Sequence, residues 1–148
     1  MYPKNIHDAQ TYDALITRIE GLSPDAHPVW GKMNVAQMLS HCAEVLDVMN
    51  GKELKNTPFY IRLLGPMIKK AVLRMGPYSK DSPTHPQYIK SGPEDFELQR
   101  TRLIASLGTL RAAGSHDVRH PLFGKMTAEE VGWSAWKHLD HHLTQFGA

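Results

Sequence analysis

The segment Thr127-Ala-Glu-Glu-Val-Gly-Trp-Ser-Ala-Trp-Lys-His138-Leu-Asp-His-His142-Leu-Thr-Gln-Phe146 decides the reading of the chain. Its first four residues form a Ser/Thr-x-x-Glu capping box, in which Thr127 and Glu130 take up amides that a helix N-terminus leaves free. From Ala128 to Phe146 the apolar residues keep a helical period. With His138 at zero, Val131, Ala135, Trp136, Leu139, Leu143 and Phe146 fill an arc from about 20° to 160°. His142 falls inside that arc at about 40° and His138 lies on its near edge, whereas His141, at about −60°, shares the polar side with Ser134 and Lys137. An i, i+4 pair stacks its side chains about 5–6 Å apart at Cβ. Two inward imidazoles so placed reach a common ion at about 2.0–2.1 Å. They have a second reading as core histidines whose ring nitrogens are satisfied by protein groups.

Working outward, three more segments carry a helical period. The first runs from Asp8 to Leu22 and places Tyr12, Leu15, Ile16, Ile19 and Leu22 on one side. The second runs from Asn34 to Gly51, with Asn34 and Gln37 forming a capping box and Asn50-Gly51 a left-handed stop. The third opens at Ser91-Gly-Pro-Glu, where Pro93 suits a first turn, and runs towards Gly114. Between the second and third, Phe59 to Met75 is amphipathic but broken at Gly65-Pro66, which predicts two short helices. Gly76 to Pro93 has no period and predicts a long, Pro-rich ordered loop. No stretch reads as a strand. The expected fold is all-α, an up-down four-helix bundle with short extra helices, in one domain over residues 1–148.

On the second helix, with His41 at zero, Val35, Met38, Leu39, Cys42, Val45, Leu46 and Met49 fill an arc from about 40° to 160°. His41 therefore sits on the edge of its apolar face as His138 does on the last helix. If the two helices are neighbours, His41, His138 and His142 converge. Three protein ligands with open positions left over are the pattern of a catalytic centre, as opposed to a closed structural one. Imidazole suits zinc, nickel, iron or copper. Gln37 and Glu44, at about −40° and −60°, flank His41 and are candidates to hydrogen-bond a ligand's second nitrogen, with a solvated position as the alternative. His120-Pro-Leu-Phe123-Gly, ahead of the last helix, is either a wall of the site or packed loop. Cys42 lies deep in the apolar arc and reads as an inert thiol. Asp140 reads as solvated, and Trp30, Trp133 and Trp136 as packing residues.

Composition restricts the alternatives. Apolar residues at 41% and charged residues at 22% exclude disorder as the main state. A formal charge of +2 gives no electrostatic case for nucleic acid. One cysteine forms no internal disulfide, which fits a reducing compartment, and the N-terminus carries no apolar signal-like run, so a cytoplasmic location is expected. No run of about 18 apolar residues occurs, and no membrane partner is expected.

The segments Trp30-Gly-Lys-Met-Asn-Val-Ala-Gln-Met-Leu-Ser-His41, His120-Pro-Leu-Phe-Gly-Lys-Met-Thr-Ala-Glu-Glu and Trp136 to Gly147 resemble, in that order, those of the DinB-like superfamily. The resemblance covers nearly the whole chain and is nearest to an uncharacterised bacterial branch. It implies a four-helix bundle with a three-histidine site for a divalent metal (Zn, Ni or Fe) at His41, His138 and His142. It also puts Gln145 in the place of the superfamily's polar residue after the second histidine of the pair. Characterised members include S-transferases that use a low-molecular-weight thiol, and maleylpyruvate isomerase, so the resemblance points to a small-molecule substrate, is compatible with a homodimer and does not imply DNA binding. The long Pro-rich loop has no counterpart in a thiol transferase. Two rival readings remain at this level: a metal- or small-molecule-binding bundle without turnover, and an interaction domain in which the amphipathic Phe59–Met75 segment docks a partner or a membrane surface, the Gly-Pro break and modest basicity weakening the membrane version.

Overall fold

Each long helix begins where a side chain can accept the free amides of its first turn. In the computed structural model, which describes residues 1–114 and 116–148, Asp8 caps α1 (Ala9–Glu20), Asn34 caps α2 (Val35–Met49), Asp95 caps α5 (Phe96–Ala112) and Thr127 caps α6 (Ala128–Gln145). The capping boxes at Asn34/Gln37 and Thr127/Glu130 are both complete. The fold is mostly helical, and α3 (Phe59–Leu63) and α4 (Gly65–Leu73) are the two short helices either side of the Gly-Pro break.

The third long helix starts later than the Pro93 signal predicts. Asp95 has extended backbone and accepts from the Leu98 amide as the N-cap, while the Glu94 carboxylate is turned to Ser40 Oγ and Gln99 Nε2. Inside the long loop a 3-10 turn, Pro86–Tyr88, is capped by His85. The expectation of no strands is corrected by an antiparallel hairpin of β1 (Val118–His120) and β2 (Gly124–Met126). Three residues a side are too few for a period-2 signal, and the hairpin is held by its turn: His120 Nδ1 accepts from the amides of Leu122 (3.1 Å) and Phe123 (3.2 Å).

One apolar cluster joins α1, α2, α5 and α6 through Leu15, Ile19, Leu39, Leu46, Leu103, Leu107, Leu139 and Leu143, among others. Each such side chain taken out of water stabilises the fold by roughly 1.5–3 kcal/mol before entropy is counted. Helix α2 is central, in contact with α5 and α6, and buries almost its entire length.

A charged cluster clamps α2 to α5. Glu44 is 3% exposed and takes Lys52 at 2.7 Å, Arg102 at 2.6 Å and Gln87 at 3.0 Å. Arg102 also pairs with Asp47 at 2.7 Å, and Asp47 accepts from Ser106 Oγ. Burial raises the Glu44 pKa, but the hydrogen bonds from Lys52, Arg102 and Gln87 outweigh it and bring the carboxyl down to about 2. Breaking a buried pair by removing one partner costs about 3–5 kcal/mol. Glu44→Gln should therefore lower the unfolding free energy by roughly 3 kcal/mol in urea titrations at neutral pH. The depressed carboxyl contributes stability that is complete above its ordinary pKa and is lost as pH falls towards about 2. The difference between wild type and variant should shrink over that interval.

Candidate metal centre

Helix α2 supplies His41 and helix α6 supplies His138 and His142, and the structure brings the three rings together. Ring centroids are 5.0 Å apart for His41 and His138, and 4.7 Å for His142 to each of the other two. One nitrogen from each lies within 4.8 Å of the others.

Two of the three rings have their tautomers set by groups that can only accept. His41 Nδ1 lies 2.7 Å from the Tyr88 carbonyl oxygen, so Nδ1 carries the proton and Nε2 is a free lone pair. His142 Nδ1 lies 2.8 Å from Gln145 Oε1, and the other end of that amide donates to the Trp30 carbonyl at 2.8 Å. Because the Trp30 carbonyl can only accept, the amide orientation is determined, and His142 Nε2 is also a lone pair. His138 Nε2 faces His41 Nε2 at 3.0 Å, and His138 Nδ1 is buried without a hydrogen-bond partner among the described residues.

The closest pair of donors has the spacing of two ligands on one cation. Two nitrogens at about 2.05 Å from one ion stand about 2.9 Å apart at a right angle and about 3.3 Å apart in a tetrahedron. The observed 3.0 Å lies within that interval. Burial holds all three imidazoles neutral: the His142 pKa is pushed down to about 3, His138 well below the usual range and His41 below it. Proximity of the rings to one another depresses His138 and His142 further. Neutral imidazole is the form that binds a metal.

The Tyr88 carbonyl is positioned by a chain of polar contacts. His85 Nδ1 accepts from the Gln87 amide at 3.0 Å and His85 Nε2 meets Thr57 Oγ1 at 3.0 Å, while Gln87 Nε2 reaches Glu44 Oε1 and the Glu53 carbonyl. These bonds tie the 3-10 turn to α2. The Trp30 segment is tied to the end of α6 by Gln145 and by the Val29 amide, which donates to the Gln145 carbonyl at 2.7 Å.

The other sequence candidates fall differently. Gln145 contacts His142, and Gln37 and Glu44 do not hydrogen-bond the cluster. Gln37 closes its own helix cap and donates to the Gly92 carbonyl, and Glu44 is the ion-pair hub described above rather than a solvated or ligand-bonding group. His120 stacks on Phe123 at 4.3 Å and organises the hairpin turn, so its ring is a turn element. Cys42 is buried and its thiol pKa is pushed up, as befits an inert group. Three polar-side assignments need correction. His141 is half-buried between Trp30 and Tyr78, at 5.5 and 5.6 Å. Lys137 is buried, donating to the carbonyls of Val72 and Arg74 beneath the Tyr78 ring. Asp140 pairs with Arg18 at 2.7 Å. In each case a segment distant in sequence covers a flank that the helical pattern assigns to water. Sequence reasoning missed the Tyr88 and Trp30 carbonyls as partners, because backbone groups leave no mark in a side-chain pattern.

With this geometry in place, comparison adds a family. The chain belongs to the family described as Protein of unknown function (DUF1569), which it matches over residues 4–148. Neither the curated proteins nor the solved structures contain a match.

His120 yields a pH prediction independent of the cluster. Burial lowers its pKa to about 4, and protonating Nδ1 would break both bonds that hold the turn. The unfolded chain binds this proton more readily, so stability is complete above the ordinary histidine pKa and falls as pH drops towards about 4. His120→Asn, whose side-chain oxygen can accept the same amides, should flatten that slope in urea titrations between the two values.

Proposed function

We propose that this chain is a metal-dependent enzyme of the DinB-like four-helix-bundle kind, in which His41, His138 and His142 hold one divalent transition metal beside a small-molecule reactant. The observation that carries the reading is the tautomer control. Tyr88 O and Gln145 Oε1 hold protons at the outer nitrogens of His41 and His142, so that their inner nitrogens are lone pairs facing a third imidazole. Outer partners of this kind, fixing ring orientation and raising ligand basicity, are what metal-ligating histidines carry. The resemblance of the Trp30–His41, His120–Glu130 and Trp136–Gly147 segments to that superfamily supports the same ligand set.

A bound ion of this class supplies Lewis-acid chemistry, polarising a substrate and easing loss of a proton from water or a thiol near neutral pH. The chain's own residues orient and enclose. The Tyr88 and Trp30 carbonyls, the latter through Gln145, prevent the His41 and His142 rings from rotating. Trp30, Tyr78 and His141 form an aromatic wall on the flank beside His142. His138 is partly exposed where His41 and His142 are buried, although its Nδ1 is itself enclosed. The reactions in range are transfer to a low-molecular-weight thiol, isomerisation and hydrolysis. A second reading, metal or small-molecule binding without turnover, draws on how little of the cluster meets solvent: His41 is 5% and His142 9% exposed.

Protein purified without a metal-affinity tag should hold about one transition-metal ion per chain by elemental analysis. Gln145→Ala should weaken binding about 10–100-fold in competition with a chromophoric chelator. No ion, even after reloading, defeats the enzyme reading and the metal-binding form of the second, and leaves only small-molecule binding. Cobalt-substituted protein separates them: a visible spectrum that shifts on adding a small thiol supports an open, reactive centre, and an indifferent spectrum supports the binding-only reading.

A further inference from the structure

The charge of the chain is unevenly distributed. From Leu54 to Lys80 the sequence holds six of the 17 Lys and Arg residues and none of the 15 Asp and Glu, so the remainder carries 11 bases against 15 acids. This segment contains α3 and α4, and on it Phe59, Tyr60, Leu63, Leu64, Met67 and Met75 are between 41% and 80% exposed. Phe59, Leu63 and Met67 recur every four residues. The Gly65-Pro66 break does not interrupt the face, because Leu64 both closes α3 and opens α4, its carbonyl accepting from the Ile68 amide at 2.9 Å.

The segment is held from the other side. The Leu73 carbonyl accepts from Trp133 Nε1, Lys137 binds the Val72 and Arg74 carbonyls, and a Cβ at Gly65 would lie 2.6 Å from the Leu122 carbonyl oxygen. Helix α3 buries none of its five residues, so its apolar side chains do little for folding. Of the six bases, Lys55 pairs with Glu53, Lys69 with Glu130, and Lys80 lies over Trp30. Arg62, Lys70 and Arg74 are exposed and form no ion pair among the described residues.

We infer that the α3–α4 face docks on an anionic lipid surface. Exposed aromatic and aliphatic side chains on a short helical segment enter the headgroup–acyl boundary, and flanking cations meet lipid phosphates. The alternatives fit less well. A two-fold contact of this face with a second copy would set Arg62, Lys70 and Arg74 against themselves. The patch is one helix wide, short of the roughly 20–30 residues a stable protein interface engages on each side. This assignment revises the expectation of no membrane partner, and it is independent of the metal centre.

The test is co-sedimentation of the full chain with vesicles of phosphatidylglycerol and phosphatidylcholine, against phosphatidylcholine alone, at low and high salt. Expected are binding to the anionic vesicles at low salt, release at high salt, and at least about tenfold weaker binding for Phe59→Ser/Leu63→Ser and for Arg62→Glu/Lys70→Glu. Unchanged thermal melts would show that both variants fold. No binding to anionic vesicles at low salt overturns the inference, as does binding that survives the Phe59→Ser/Leu63→Ser change. Binding to soluble polyglutamate without vesicle binding overturns it in favour of an acidic protein partner. A concentration-dependent dimer abolished by the same variants, without vesicle binding, reassigns the face to a second copy.

Discussion

A buried imidazole has two nitrogens, one proton and no water to complete its bonding. That constraint organises the centre of this molecule. Placing three such rings within contact of one another would leave six ring nitrogens competing for partners, and repulsion between imidazolium ions excludes protonation as the remedy. Two of the outer nitrogens are instead given to acceptors that cannot donate, the Tyr88 carbonyl and the Gln145 amide oxygen. Once those protons are fixed outside, the inner lone pairs of His41 and His142 have no acceptor role to play towards each other. A hydrogen bond from His138 serves one of them in the bare protein. A cation is the partner that would serve all of them together.

The acceptors are backbone groups or depend on one, and much of the surrounding structure exists to keep them in position. The route from Glu44 is the clearest example. Its carboxylate is 3% exposed and binds Lys52 and Arg102, which clamps α2 to the neighbouring helix, and the same carboxylate takes Gln87 Nε2. Gln87 lies one residue before Tyr88, whose carbonyl meets His41. A residue three positions after His41 on α2 therefore orients that ring through a loop more than 40 residues away. The ion-pair cluster and the histidine cluster are parts of one polar lattice, on adjoining flanks of a mostly apolar helix.

This arrangement explains which features were legible in the sequence. The capping boxes at Asn34 and Thr127 are local, since donor and acceptor are three residues apart, and both formed as read. The inward direction of His138 and His142 follows from a long apolar period, and the grouping with His41 needed only α2 and α6 to be neighbours. Gln37 and Glu44 were placed by angle alone, and angle says nothing about the loop that approaches a given flank. The 3-10 turn claimed Glu44 and the residues after Ser91 claimed Gln37. Lys137 and His141 misled for the same reason: the stretch from Val72 to Tyr78 covers a side of α6 that reads as polar. The hairpin was invisible because its strands are three residues long and its organising interaction is one imidazole accepting two amides in its own turn.

The burial of Lys137 joins the two halves of the functional argument. An ammonium group is costly to place in a protein interior unless its protons are satisfied, and here two carbonyls at the end of α4 and the face of Tyr78 do so. The contact anchors the segment that carries the exposed apolar and basic residues to the helix that carries two of the three clustered histidines, one residue before His138. The α3–α4 face is thus mechanically continuous with one wall of the centre. Its inward attachment rests on the Val72, Leu73 and Arg74 carbonyls, on Gly65 against Leu122 and on Lys69, so Phe59, Leu63 and Met67 take no part in it.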